Sequence, residues 1–149
     1  MHVTGVPGER PSHPLLSQML VPILHLSLVR INLYDPHLDL ITPRLNHVEL
    51  VDISFNRFNP DSLMNFVNSI NRVPNRDLAL RTLSLAGNSL KTSSERLLAT
   101  AMIELLLKRA IVHLDLSLTD LEPFVLQKMC EGFRYARTLQ SLHVSVGSP

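Results

Sequence analysis

With 149 residues, 45% of them hydrophobic, the chain is long enough to bury one continuous core and fits a single modest domain. Fourteen Lys and Arg against thirteen Asp and Glu leave a formal net charge of +1, which excludes the strong basic bias of a nucleic-acid or membrane-surface binder. The single cysteine, Cys130, excludes an internal disulfide, and its place among apolar helix positions beside Met129 predicts a buried core thiol rather than a reactive one.

In chain order, residues 1–14 carry Gly5, Pro7, Gly8, Pro11 and Pro14 with little apolar content and are expected to form a flexible leader. From Leu15 the composition turns apolar, opening a domain over 15–149. The stretch to Val29 is too short, and too interrupted by Ser17, Gln18, Pro22 and His25, to span a bilayer. Leu15 to Leu20 reads as a short helix over the N-terminal edge of the core, ended by Pro22. Five stretches then follow one pattern. Leu80, Leu83, Leu85, Asn88 and Leu90 spell LxxLxLxxNxL, and Val48, Val51, Ile53, Asn56 and Phe58 fill the same slots. So do Ile111, Leu114, Leu116, Thr119 and Leu121. Leu139, Leu142, Val144 and Gly147 begin a further unit, and Leu28, Ile31, Leu33, Pro36 and Leu38 a weaker first one. The units therefore start near 28, 48, 80, 111 and 139.

Each unit makes physical sense as a strand followed by a turn. In a strand, alternate residues share a face, so Leu83 and Leu85 point one way and Ser84 the other. Asn88 suits the turn because its carboxamide can bond the main chain where it leaves the sheet. One unit cannot bury its own apolar face and must stack on its neighbours. Between the strands, Pro36 to His47 is bounded by prolines and is expected to be an extended loop. Asn59 with Pro60 marks a helix start, Leu63, Phe66, Val67 and Ile70 supply its buried stripe, and Pro74 and Asn75 end it. Thr92 and Glu95 read as the capping box of a second helix, buried through Leu98, Ala101, Met102 and Leu105 and closed by Lys108 and Arg109. A third is expected to open around Glu122 and Pro123, bury Val125 or Leu126, Met129 and Phe133, and end near Arg134 and Arg137.

Over about residues 28–147 this pattern resembles the ribonuclease-inhibitor-like class of leucine-rich repeats. The resemblance implies an α/β solenoid of four to five repeats, curved and right-handed, with parallel strands on the concave face and helices on the convex face. It implies a scaffold for protein partners. Extracellular members of that fold usually carry cysteine-rich caps; without them, a cytoplasmic location is expected.

Function is expected on the concave face, where equivalent slots stack into columns. The central column reads Asn32, Asp52, Ser84, Asp115 and His143, and the neighbouring columns add Tyr34, Phe55 and Leu118. Two interpretations fit: a solvated face of small polar residues, or a partner-binding surface in which Tyr34, Phe55 and Leu118 supply apolar area and Asp52, Ser84, Asp115 and His143 polar contacts. Asp115 with His113 and His143 could in principle ligate a metal for hydrolysis, but an open sheet offers neither water exclusion nor a closed ligand shell. No phosphate-cradling, HExxH, CxxC or GxSxG motif is present. The sequence thus points to a non-catalytic protein-binding module with no catalytic residues, cofactor or metal, and with no nucleic acid or membrane among its partners. A second reading is a subunit or fragment that self-associates or docks end-on through its C-terminal edge, Leu139 to Val146, because the pattern stops inside a unit.

Overall fold

The computed structural model describes residues 2–4 and 25–144, and among them the chain is an α/β fold around one parallel sheet. Six strands lie in sequence order: β1 (His2–Thr4), β2 (His25–Val29), β3 (Leu50–Asp52), β4 (Thr82–Ser84), β5 (His113–Leu116) and β6 (Ser141–Val144). Parallel neighbours need long crossovers, and from β2 onward helices supply them. The principal helices are α2 (Pro60–Arg72), α3 (Glu95–Lys108) and α4 (Pro123–Phe133), preceded by a short α1 (Leu38–Ile41).

The leucine pattern sets the register. Leu26, Val51, Leu83, Leu114 and Leu142 are partners across consecutive strands. The first four are fully buried, as are Leu28, Ile53, Leu85 and Leu116 two residues further on. Against them pack the predicted stripes of α2 and α3, from Leu63 to Ile70 and from Leu98 to Leu105. Burying each such side chain contributes about 1.5–3 kcal/mol, so the stacked leucine face dominates stability.

Where each strand ends, polar groups carry the chain around the turn. Asn56 Nδ2 donates to the carbonyls of Leu28 and Ile53 at 2.8 Å each, and Asn88 Nδ2 to those of Ile53 at 3.0 Å and Leu85 at 3.1 Å. Asn56 N–H in turn donates to Asn88 Oδ1 at 3.1 Å. The two carboxamides thereby tie β2, β3 and β4 into one hydrogen-bonded ladder, which removes main-chain orphans from a dry turn. Thr119, in the same slot, bonds within its own unit, donating to the Leu116 carbonyl at 2.6 Å.

Several expectations are corrected. His2–Thr4, placed within the expected flexible leader, pair with β2; the rest of that leader lies outside the described residues. The stretch from Pro36 to His47 is mostly helical, as two 3-10 turns (Asp35–His37, Thr42–Arg44) flanking α1; Pro36 and Pro43 each occupy the first positions of a turn, where no N–H is needed. Thr92 is not the helix cap: α3 begins later, after Ser94, and the Thr92 hydroxyl donates to Asp61 Oδ1 at 2.8 Å, linking two helix starts. In α4 the inward stripe is Val125, Met129 and Gly132, which leaves Cys130 and Phe133 exposed. The expected helix at Leu15–Leu20 and the turn at Gly147 lie outside the described residues.

Candidate partner-binding face

The side of the sheet opposite the helices carries two polar columns. One is His25, Leu50, Thr82, His113 and Ser141; the other is Ser27, Asp52, Ser84, Asp115 and His143. Of the sequence-predicted residues, Asp52, Ser84, Asp115 and His143 are therefore neighbours in one row. Asn32 and Tyr34 are not, and this corrects the placement of the first unit. Leu26 pairs with Val51, 25 positions later, so that the first unit runs five residues ahead of the expected register. Tyr34 precedes the first 3-10 turn, its ring edge-on to His37 at 4.7 Å. Ile23, Leu26, Leu28, Ile31 and Leu33 fit the same residue spacing once an apolar residue is allowed at the asparagine slot, a signal available in the sequence.

The central column does local work. Asp52 Oδ1 accepts from Ser54 N–H at 3.1 Å and from the Ser54 hydroxyl, and Asp115 Oδ1 accepts from Ser117 N–H at 2.9 Å. Ser84 fills the same role toward Ala86 N–H at 3.5 Å, and its hydroxyl meets that of Ser54 at 2.7 Å. Short side-chain acceptors that bond the main chain two residues on fix the strand exit. The polar row is thus partly architectural.

Three residues past that row the backbone does something the sequence did not announce. Arg30, Phe55, Gly87 and Leu118 all adopt positive φ, at 57°, 56°, 72° and 57°. Their setting is common: Arg30 N–H donates to Ser54 O, Phe55 N–H to Ala86 O and Gly87 N–H to Ser117 O. For a residue with a side chain, the left-handed region costs about 1–2 kcal/mol. Three large side chains nevertheless occupy it, and the twist aims them along the edge where the strands end. Phe55 lies directly on Gly87, where an added Cβ would come within 2.2 Å of the ring. The Arg30 guanidinium sits 4.7 Å from the centre of the same ring. Phe55 remains 38% exposed and Leu118 62%. Sequence reasoning finds Phe55 and Leu118 but misses Arg30, because the shifted first unit puts Asp35 in that column.

The Asp115 cluster has no such convergence. Asp115 and His143 are register partners, while His113 Nδ1 meets the Ser141 hydroxyl at 2.7 Å. Among the described residues no three His, Cys, Asp or Glu side chains are placed to hold a metal ion, and no helix is long and apolar enough to cross a membrane. A scan of protein-family models and a search of curated proteins both return no match to this chain.

Proposed function

We propose that the chain is a leucine-rich-repeat solenoid of the ribonuclease-inhibitor-like class, acting in the cytoplasm as a non-catalytic module that binds a protein partner on its strand face. The in-register leucines, the Asn56–Asn88 ladder and the recurrence of positive φ at the equivalent positions Arg30, Phe55, Gly87 and Leu118 support the repeat reading. The observation that carries the binding reading is the ridge of Arg30, Phe55 and Leu118. It holds large apolar side chains at water, in strained backbone, beside the Asp52 and Asp115 row. Large apolar area held at water is what an external contact can cover, and that supports a partner-binding role for this edge.

The test is comparative capture with purified full chain. The combined change Asp52→Asn, Phe55→Ser, Asp115→Asn and Leu118→Ser keeps the local oxygen acceptors while removing charge and apolar area. A partner retained by the parent chain and by a helix-side Leu97→Ser variant, yet lost by the combined variant, is the expected result. Equal capture by all three chains rejects the strand face as the site.

An assembly role has one observation in its favour. Leu142 and Val144 on β6 are only partly buried, whereas their counterparts Leu114 and Leu116 are fully so. Light scattering on a sizing column separates the readings: concentration-dependent oligomers support assembly, and a monomer near 16.8 kDa supports the binding module.

A further inference from the structure

At the opposite edge, where the strands begin, a cleft of about 290 Å³ opens between the 75–81 loop, the end of α3 and the approach to β6. Its walls include Arg81, Lys108, Arg109 and Arg137, together with Asn75 and Thr138, and no carboxylate among the described residues lines it. In a chain whose net charge is only +1, four cations around one cavity is a pronounced local imbalance.

Two of the four are held in place by neutral groups. Arg81 Nη1 donates to the carbonyls of Leu80 at 2.8 Å and Leu78 at 3.0 Å. The Arg109 guanidinium donates to the main-chain carbonyls of Asn71 and Val73 and to Asn75 Oδ1 at 3.1 Å. Carbonyl partners orient a guanidinium without cancelling its charge, so these two arginines are fixed in advance and lose little side-chain entropy when an anion arrives. Lys108 and Arg137 stand at the rim. Lys108 is exposed, and its acidic neighbour Glu104, half-buried, stands 3.9 Å away, a long pair that offsets one of the four charges only in part. The end of α3 contributes roughly half a negative charge, which four cations outweigh.

We infer that this cleft binds a dianionic phosphate group. A monovalent carboxylate would leave most of the positive charge uncompensated, whereas a phosphate monoester carries nearly two charges and three oxygens, which can accept from Lys108 and Arg137 at the rim while the carbonyl-held Arg81 and Arg109 supply charge from the wall. The site is independent of the strand-face reading, lying on the other edge of the sheet. Its phosphate can come from free anion or from a phosphorylated side chain on a protein.

Nuclear magnetic resonance titration of the full chain tests this, using inorganic phosphate, a phosphoserine peptide and its unphosphorylated twin in about 0.15 M salt, an ionic strength at which exposed charges are screened beyond about 8 Å. Saturable shifts confined to residues around Arg81, Arg109 and Thr138 are expected. Lys108→Ala with Arg137→Ala, both changes at the rim, should weaken binding about tenfold, while Lys91→Ala with Arg96→Ala, distant exposed cations, should not. Tighter binding of the phosphopeptide than of inorganic phosphate assigns the group to a protein partner; equal affinity assigns it to free anion. Absence of saturation, or equal loss in both double variants, overturns the proposal, since diffuse surface charge then explains whatever binds.

Discussion

The first unit and the central units reach the same strand geometry by different means. In β3 and β4 the turn slot holds Asn56 and Asn88, whose carboxamides bond across strands, and helices of 13 and 14 residues follow them on the far side. In the unit that begins with β2, the slot holds buried Ile31, and the crossover is a run of short helical turns. Even so, Leu26 and Leu28 are as buried as Leu83 and Leu85, and Arg30 adopts the same positive φ as Phe55, Gly87 and Leu118. Stacked leucines and main-chain bonds between strands therefore suffice to impose the unit's shape. The asparagine's contribution is to satisfy buried carbonyls, and in the first unit the neighbour's Asn56 reaches over to do that for Leu28.

The comparison can be tested by substitution. Leu85→Ala in the centre and Leu33→Ala in the first unit both empty fully buried sites, and each should cost about 2–5 kcal/mol in chemical denaturation if one core spans both regions. A markedly smaller loss for Leu33→Ala would mean that the first unit frays separately. Asn88→Ala strips partners from the carbonyls of Ile53, Leu85 and Ala86 and from Asn56 N–H, and a loss of about 2–3 kcal/mol is expected. Asn88→Ile, which copies the apolar slot of the first unit, should lose at least as much: Asn56 Nδ2 still bonds the Ile53 carbonyl, but the carbonyls of Leu85 and Ala86 and the Asn56 N–H lose their carboxamide partner.

Gly87→Ala probes the ridge. Positive φ alone costs about 1–2 kcal/mol, and the new Cβ must also displace the Phe55 ring. Combining it with Phe55→Ala should recover the steric part and leave the backbone part, so that a double-mutant cycle reads the contact directly. The smallest effect belongs to the helix surface: Glu104→Gln breaks a long, partly exposed i,i+4 pair with Lys108 and should change stability by about 0.5 kcal/mol or less in the same assay.

Much of this is legible in the residues. The starts of α2 at Pro60 and α4 at Pro123, the apolar stripes of α2 and α3, and the in-register leucines of β3, β4, β5 and β6 follow from spacing and capping. Spacing misplaces the first unit because Leu28, Ile31 and Leu33 match the template nearly as well as the frame that starts at Ile23; among crowded leucines, periodicity does not choose the register. Composition puts Phe133 and Cys130 inside, but only rotation of α4 against its neighbour decides which side of a mixed apolar helix faces in.

By itself the sequence determined the α/β alternation and most of the core positions of β3, β4, β5, α2 and α3, because those depend on local period and on burial; the parallel pairing was what the family resemblance implied, and the sheet has it. The tertiary structure decided the rest. Which four residues share the positive-φ column, how Phe55 comes to rest on Gly87 beside Arg30, and how Arg81, Lys108, Arg109 and Arg137 meet around one cleft all involve positions in different units. Such meetings are set by how units stack, and stacking is a property of the assembled core rather than of any stretch within it.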